Sequence, residues 1–206
     1  MKKNKSKNNK KVNNPKIGAL IIAILVIAVA FIGLYFLING APNSNKANNG
    51  NKKVAVVYFS ATGTTKKVAK VISKETGGAL FEIEPKVKYT EADLDRNDLK
   101  SRAVLEYYDP KSRPEIANNI DIDEYDVIYL GYPIWCGEVP RIILTFMDKH
   151  NLDGKTIIPF ATSESSGITQ SASTLKDYNK KVKWIKGQIL NGSENDIKNW
   201  VKSISY

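Results

Sequence analysis

The chain of 206 residues is long enough for one domain with accessory segments, and its single Cys excludes an intrachain disulfide and a metal site built from several cysteines. The only His, His150, argues against a His-based metal cluster or catalytic triad, and its position before Asn151 favours the end of a helix. Residues 1–52 hold nine of the 31 basic residues and no acidic one, so the rest of the chain carries only +1 of the net charge of +10, and no nucleic-acid-binding face is expected.

Residues 1–52 divide into three predicted segments. Residues 1–16 form a basic cytoplasmic tail, and residues 17–38 form an uncharged apolar stretch that would reach about 33 Å as a helix, enough to span a bilayer. Because this stretch is longer than the core of a signal peptide, we expect a retained transmembrane anchor. The Asn-rich residues 39–52 predict a flexible linker, and the positive-inside rule places residues 53–206 outside the cytoplasm.

The first predicted strand leads into a loop of small hydroxylic residues. Residues 54–57 are apolar throughout, as in a parallel strand covered on both faces, and a helix over residues 68–74 ends before Gly77. The loop between them contains Ser60, Thr62, Gly63, Thr64 and Thr65. Free amides at the start of a helix, together with hydroxyl groups, predict an anion site. The loop lacks the Gly-rich motifs of nucleoside-triphosphate and dinucleotide sites, so it suits a monophosphate; an ordinary Ser/Thr-rich helix cap is the alternative.

Helices and strands alternate along the rest of the chain. A capping box at Thr90–Asp93 predicts a helix that continues to Leu105 and breaks at Tyr107–Pro110. The other predicted elements are an edge strand at residues 79–84, strands at 125–131 and 155–161, a helix from Pro140, a short helix at 171–178, a fifth strand at 183–190 and a closing helix capped by Ser193.

This alternation predicts an α/β fold with a doubly wound parallel sheet of five strands. Right-handed crossovers favour the flavodoxin-like strand order 2-1-3-4-5, preceded in this chain by one transmembrane helix. Ligands of such sheets lie at the carboxyl ends of the strands, beside the point where the strand order reverses. The loops after the first, third and fourth strands are polar or contain Gly, and all three open at that edge.

Three motifs resemble those of the bacterial flavodoxin-like proteins: Ser60-x-Thr62-Gly63-Thr64-Thr65, residues 131–140 (GYPIWCGEVP) and residues 154–160 (GKTIIPF). Two further runs, Tyr89-Thr90-x-x-Asp93-Leu94 and Asp109-Pro110-x-x-Arg113-Pro114, are similar to that group too. The resemblance covers nearly all of residues 53–206 and implies non-covalent FMN with its phosphate in the first loop. It implies ring contacts from two groups of residues, which are Pro133, Ile134, Trp135, Cys136 and Gly137, and Thr162, Ser163, Glu164 and Gly167. A stacked Trp135 would suit the flat ring. Tyr107 and Tyr108 either pack in the core or lie near the ring, and we favour packing.

The chain departs from this family in two places. Cys136 stands where the family often has a second Trp, and we interpret it as an inert residue rather than a redox-sensitive thiol. Glu164 stands where small residues are usual, and a carboxylate near the ring would lower the potential of the second electron.

The sequence therefore predicts a membrane-anchored, FMN-binding electron-transfer protein of the extracytoplasmic side. Its expected partners are a redox protein or a small-molecule electron donor or acceptor, and the membrane, but no nucleic acid. Two alternatives remain open. One is an FMN-dependent NAD(P)H:quinone or small-molecule reductase, and the other is a non-catalytic tethered module that has lost flavin.

Overall fold

A computed structural model describes residues 52–206, which contain strands and helices in alternation. The strands are β1 (Val54–Tyr58), β2 (Ala79–Glu82), β3 (Val127–Pro133), β4 (Thr156–Thr162), β5 (Lys183–Trp184) and β6 (Gln188–Ile189). The helices are α1 (Thr64–Thr76), α2 (Arg102–Tyr108), α3 (Arg141–Lys149), α4 (Thr169–Tyr178) and α5 (Glu194–Ser203), with a short 3₁₀ helix at Ala92–Leu94.

The strands form one parallel sheet in the order β2-β1-β3-β4-β5, with β6 also paired with β4. Tyr58, the last residue of β1, is level with Gly131, and Pro133 at the end of β3 is level with Thr162 at the end of β4. The carboxyl ends of these three strands therefore meet at one edge of the sheet, and the predicted strand order is confirmed.

Alternate residues of the strands face two separate cores. Ala55 and Val57 of β1 belong to the core that also contains buried residues of α3 and α4. Val56 and Tyr58 face the opposite side, where α1 and α5 pack. A parallel strand buried on both faces has no polar positions along its length, which explains the unbroken apolar run of β1.

The predicted fifth strand is interrupted. Between the pairings Ile157 with Trp184 and Phe160 with Gln188, β4 advances three residues and the edge segment four, so the edge contains a bulge. Ile157 and Ala161 both accept backbone hydrogen bonds from the edge segment, and Pro159 lies between them on the same side without an N–H to donate. The missing donor breaks the hydrogen-bond ladder there.

The helix predicted from Thr90 to Leu105 was wrong before Arg102 and confirmed from there to Leu105. Thr90 and Asp93 do form the reciprocal hydrogen bonds of a capping box, but only a 3₁₀ turn follows. The side chains of Asp95 and Asp98 then accept hydrogen bonds from the backbone N–H groups two residues later. Such local bonds compete with helical ones, so a regular helix begins only at Arg102. Tyr107 and Tyr108 are the last two residues of this helix, so it ends within the predicted break at Tyr107–Pro110. Tyr108 is exposed rather than packed in the core.

The predicted tail, anchor and linker lie outside the described residues, apart from Lys52. Within residues 52–206, every helix is too short or too polar to cross a membrane.

Candidate functional site

The loop after β1 presents its polar groups around the start of α1. Gly63 precedes the helix with φ of 87°, a left-handed conformation that favours Gly, and its N–H donates to Ser60 Oγ at 3.1 Å. The hydroxyl groups of Thr62 and Thr64 lie 3.3 Å apart on the exposed side of the loop. Ser60 therefore shapes the loop, while Thr62 and Thr64 face solvent.

The first turn of α1 is suited to bind an anion. No side chain caps this end of the helix and no acidic residue lies in its first turn, so its leading N–H groups have no partner within the helix. The helix dipole adds a partial positive charge at this position. Lys66, the third residue of α1, pairs with Glu82 at 2.5 Å, so its ammonium group already has a carboxylate partner. Amides and hydroxyls thus dominate the site.

Two predicted site residues bind each other. Thr65 and Thr162, which are 1% and 4% exposed, have hydroxyl oxygens 2.8 Å apart. This bond joins the start of α1 to the end of β4, so the first and third loops of the site are held together. The Thr65 hydroxyl is committed to this contact, whereas its backbone N–H belongs to the first turn of α1.

Trp135 begins a tight turn that carries the second loop. Trp135 and Glu138 exchange backbone hydrogen bonds of 3.0 and 2.8 Å, and the two residues between them, Cys136 and Gly137, have φ of 51° and 79°. Positive φ at both central positions is the pattern of a type I′ turn, which Gly137 adopts readily and Cys136 does not. The Glu138 carboxylate accepts hydrogen bonds from two side chains of α4, and these fix the turn to the fold.

Three aromatic rings form a cluster under this turn. The ring of Trp135 meets Phe59 and Tyr89 edge to face, with centroids 5.4 and 4.9 Å away, and Phe59 and Tyr89 are 5.6 Å apart. Phe59 is fully buried, whereas Trp135 stays partly exposed at the edge of the sheet. The sequence analysis did not assign Tyr89 to the site, because it lies in the irregular segment after β2 and no local pattern places it beside Trp135.

The loop after β4 completes the edge. Ser163 N–H donates to Asn191 Oδ1 at 3.1 Å, and Ser166 N–H donates to Ser163 Oγ at 2.9 Å. Glu164 is exposed and lies 3.2 Å from Arg96, which belongs to the segment after the 3₁₀ helix. Ile134 N–H donates to the Thr162 carbonyl at 2.9 Å and ties this loop to the second one. Gly167 is exposed at its far end, and Pro133 ends β3.

Cys136 and His150 differ in their relation to the site. Cys136 is exposed at the tip of its turn, and desolvation by neighbouring atoms raises the pKa of its thiol, so the thiolate is less available than in a free Cys. His150 follows α3, and its two ring nitrogens lie 2.7 and 2.8 Å from the carbonyl oxygens of Phe146 and Ile120. These contacts place the His150 ring away from the three loops of the site. Within residues 52–206, no His, Cys, Asp and Glu side chains are grouped to hold a metal ion.

The predicted residues thus come together at the carboxyl edge of β1, β3 and β4. The arrangement offers an uncapped helix start for an anion next to a partly exposed indole that could contact a flat ring. A ligand that combines a monophosphate with a planar aromatic group fits these two features.

The comparisons with known proteins agree with this geometry. The profile of a family described as Flavodoxin matches residues 53–204. A crystal structure from Bacteroides eggerthii, of a protein provisionally named a flavoprotein, is 46% identical with a TM-score of 0.71, and the match covers 75% of this chain and 98% of that one. A similarly named protein from Bacteroides uniformis is 44% identical over 75% of this chain and 100% of its own, with a TM-score of 0.72.

A third solved structure contains the cofactor. It is a flavoprotein from Lactobacillus acidophilus in complex with FMN, 26% identical with a TM-score of 0.57, and the match covers 72% of this chain and 98% of that one. No curated protein matches the chain significantly. Because the family profile spans most of the sequence and the sheet has the expected strand order, the protein belongs to the flavodoxin family.

Proposed function

We propose that residues 53–206 bind FMN without a covalent bond and transfer electrons between redox partners. The observation that carries this proposal is the meeting of an uncapped helix start and a partly exposed Trp135 at one edge of the sheet. Family membership and the FMN complex of the Lactobacillus acidophilus relative support the same ligand.

The phosphate would be held by α1 and the loop before it. The leading N–H groups of α1 and the exposed hydroxyls of Thr62 and Thr64 supply donors, and a dianion is favoured by the helix dipole. The Ser60 hydroxyl oxygen accepts a hydrogen bond from the N–H of Gly63, and the hydrogen bond between Thr65 and Thr162 holds the loop against the end of β4. The site needs no Lys, in contrast to sites for longer phosphate chains.

The ring would lie between the second and third loops. Trp135 offers an aromatic wall, and Gly137 lacks a side chain where the backbone of the turn approaches the ligand. FMN supplies the redox chemistry when bound, accepting and releasing one or two electrons, while the protein binds, orients and shields it. The loops themselves contribute donors and an electrostatic environment.

Binding can be tested with the purified protein and added FMN. We expect saturable quenching of FMN fluorescence and a yellow protein. Thr62→Asp should abolish binding because it places a negative charge beside the phosphate, whereas Asn199→Asp, which adds the same charge on the exposed face of α5, should bind normally. Failure of the wild-type protein to bind FMN would leave a tethered module without flavin as the better description.

Turnover separates a carrier from a reductase. A carrier exchanges electrons with a partner protein but shows no steady oxidation of a nicotinamide donor, whereas an FMN-dependent reductase consumes NADH or NADPH with a quinone as acceptor. The sequence contains no Gly-rich dinucleotide loop, so we expect the first result.

We also propose that the domain is tethered to the cell membrane by residues 17–38, with the domain on the extracytoplasmic side. The apolar length of this stretch and the seven Lys before it support the proposal. The full chain should sediment with membranes and deletion of residues 17–38 should release it. A tag after Tyr206 should be cleaved by protease added to intact cells; a protected tag would place the domain inside.

A further inference from the structure

We propose that Tyr89 and Glu106 are positioning residues that hold Trp135 in the orientation that receives the flavin ring. This inference rests on the proposed function, because it assigns a task to two residues beside the proposed FMN site. Neither residue belongs to the loops after β1, β3 and β4: Tyr89 lies in the irregular segment between β2 and α2, and Glu106 lies within α2.

Tyr89 is the ring that brings this region to the site. Its centroid lies 4.9 Å from that of Trp135 and 5.6 Å from that of Phe59, with edge-to-face geometry in both pairs. Phe59 is fully buried directly after β1 and cannot shift without disturbing the core. Tyr89 lies instead in a segment without regular structure, so the position of its ring depends on the contacts of its own side chain.

Glu106 and Arg102 hold Tyr89 from two sides. The Tyr89 hydroxyl donates to Glu106 Oε2 at 2.7 Å, and Arg102 Nε donates to Glu106 Oε1 at the same distance. The Arg102 guanidinium also lies 3.9 Å from the centroid of the Tyr89 ring, a cation–π contact. Burial and the Glu106 hydrogen bond raise the pKa of Tyr89, so the phenol keeps its proton and remains a donor.

The same network is fastened to the Trp135 turn. Arg141, the first residue of α3, lies three residues after Glu138, the last residue of that turn. Its guanidinium donates to the backbone carbonyls of Glu106 at 3.0 Å and Tyr107 at 2.7 Å. The end of α2 is therefore held to the residues that follow the turn, and a shift of Glu106 is transmitted to Trp135 both through Tyr89 and through Arg141.

A simple packing role does not require these charges. Glu106 is only 9% exposed, and a paired carboxylate at such a position is often replaceable by apolar side chains with little loss of stability. Glu106 and Arg102 instead fix the orientation of the Tyr89 ring, through two hydrogen bonds at Glu106 and the contact of Arg102 with the ring. An indole fixed before the ligand arrives loses less conformational freedom on binding, and the affinity is correspondingly higher.

The test compares Tyr89→Phe and Glu106→Gln with Tyr108→Phe. Tyr89→Phe keeps the ring and loses the bond to Glu106, while Glu106→Gln keeps the shape and loses the charge that binds Arg102. Tyr108 lies on α2 with 70% of its surface exposed and serves as the matched control. We expect the first two variants to bind FMN about three- to tenfold more weakly and the control to bind as the wild type does.

A second readout does not depend on FMN. In a background with Trp184 and Trp200 changed to Phe, the near-ultraviolet circular dichroism of the ligand-free protein reports on Trp135. We expect the band to weaken in both network variants and to persist in Tyr108→Phe, measured at a temperature where all variants are folded. Unchanged FMN affinity and an unchanged band in Glu106→Gln would overturn the inference. If the wild type fails to bind FMN but the band weakens, the positioning role stands and the proposed function fails.

Discussion

The hydrogen bond between Thr65 and Thr162 offers a sharp test of how the site is assembled. It joins two loops whose residues are 97 positions apart, and both hydroxyl groups are almost completely buried. Val has nearly the shape of Thr without the hydroxyl, so each substitution removes one half of the bond without opening a cavity. The variants are Thr65→Val, Thr162→Val and the double substitution.

Each single substitution leaves one buried hydroxyl without its partner, which costs about 1–3 kcal/mol in the free energy of unfolding. For a domain of this size such a loss lowers the melting temperature by roughly 2–4 °C per kcal/mol, so a decrease of several degrees is expected. The double variant replaces both partners by apolar groups of similar shape, which is close to neutral. We therefore expect the free energy of unfolding of the double variant to lie near that of the wild type. Its loss should be much smaller than the sum of the losses in the two single variants.

Thermal and urea unfolding of the four proteins give the coupling energy directly. Thr145→Val is the control, because Thr145 is also buried but its hydroxyl bonds only to a carbonyl of its own helix at 3.4 Å. We expect a smaller loss there than at Thr65. Additive losses in the double variant would refute the reasoning, since they would mean that the two hydroxyls do not depend on each other.

Three further predictions concern the sheet, the third loop and the last helix. Gly131→Ala should destabilise the protein by about 1–3 kcal/mol or more, because a Cβ there would lie 2.1 Å from the Phe160 ring; an unchanged melting temperature would contradict the packing. Glu164→Gln should raise, and Arg96→Gln should lower, the second-electron potential of bound FMN. Coulomb's law in water gives about 20 mV for a solvated charge at an assumed distance of roughly 10 Å, and an unchanged potential in Glu164→Gln would remove the proposed effect. Hydrogen bonds from Ser193 lower the pKa of Asp196, so the ionised Asp196 carboxylate stabilises the fold above about pH 4 and this stabilisation is lost as the pH falls. Asp196→Asn should therefore be less stable than the wild type at pH 7 and equally stable in acid. A stability difference that persists in acid would exclude ionisation of Asp196 as the cause.

Local sequence patterns were sufficient for the order of the main elements. Apolar runs such as β1, hydroxylic loops and helix signals repeat along residues 53–206, and in a parallel α/β sheet right-handed crossovers leave few ways to connect them. The strand order and the meeting of three loops at one edge follow from that. The helix start after the first loop follows as well, and the Gly of that loop, Gly63, takes the left-handed φ of 87° that a residue without Cβ adopts readily.

Contacts between distant residues were decided by the tertiary structure alone. No local pattern pairs Thr65 with Thr162 or brings Tyr89 to Trp135, because both contacts depend on how separate segments pack. The interruption of the fifth strand likewise comes from Pro159 on the neighbouring strand, which cannot donate a hydrogen bond. Sequence periodicity therefore determined which elements form and where their loops open, while packing across the sheet decided which side chains meet there.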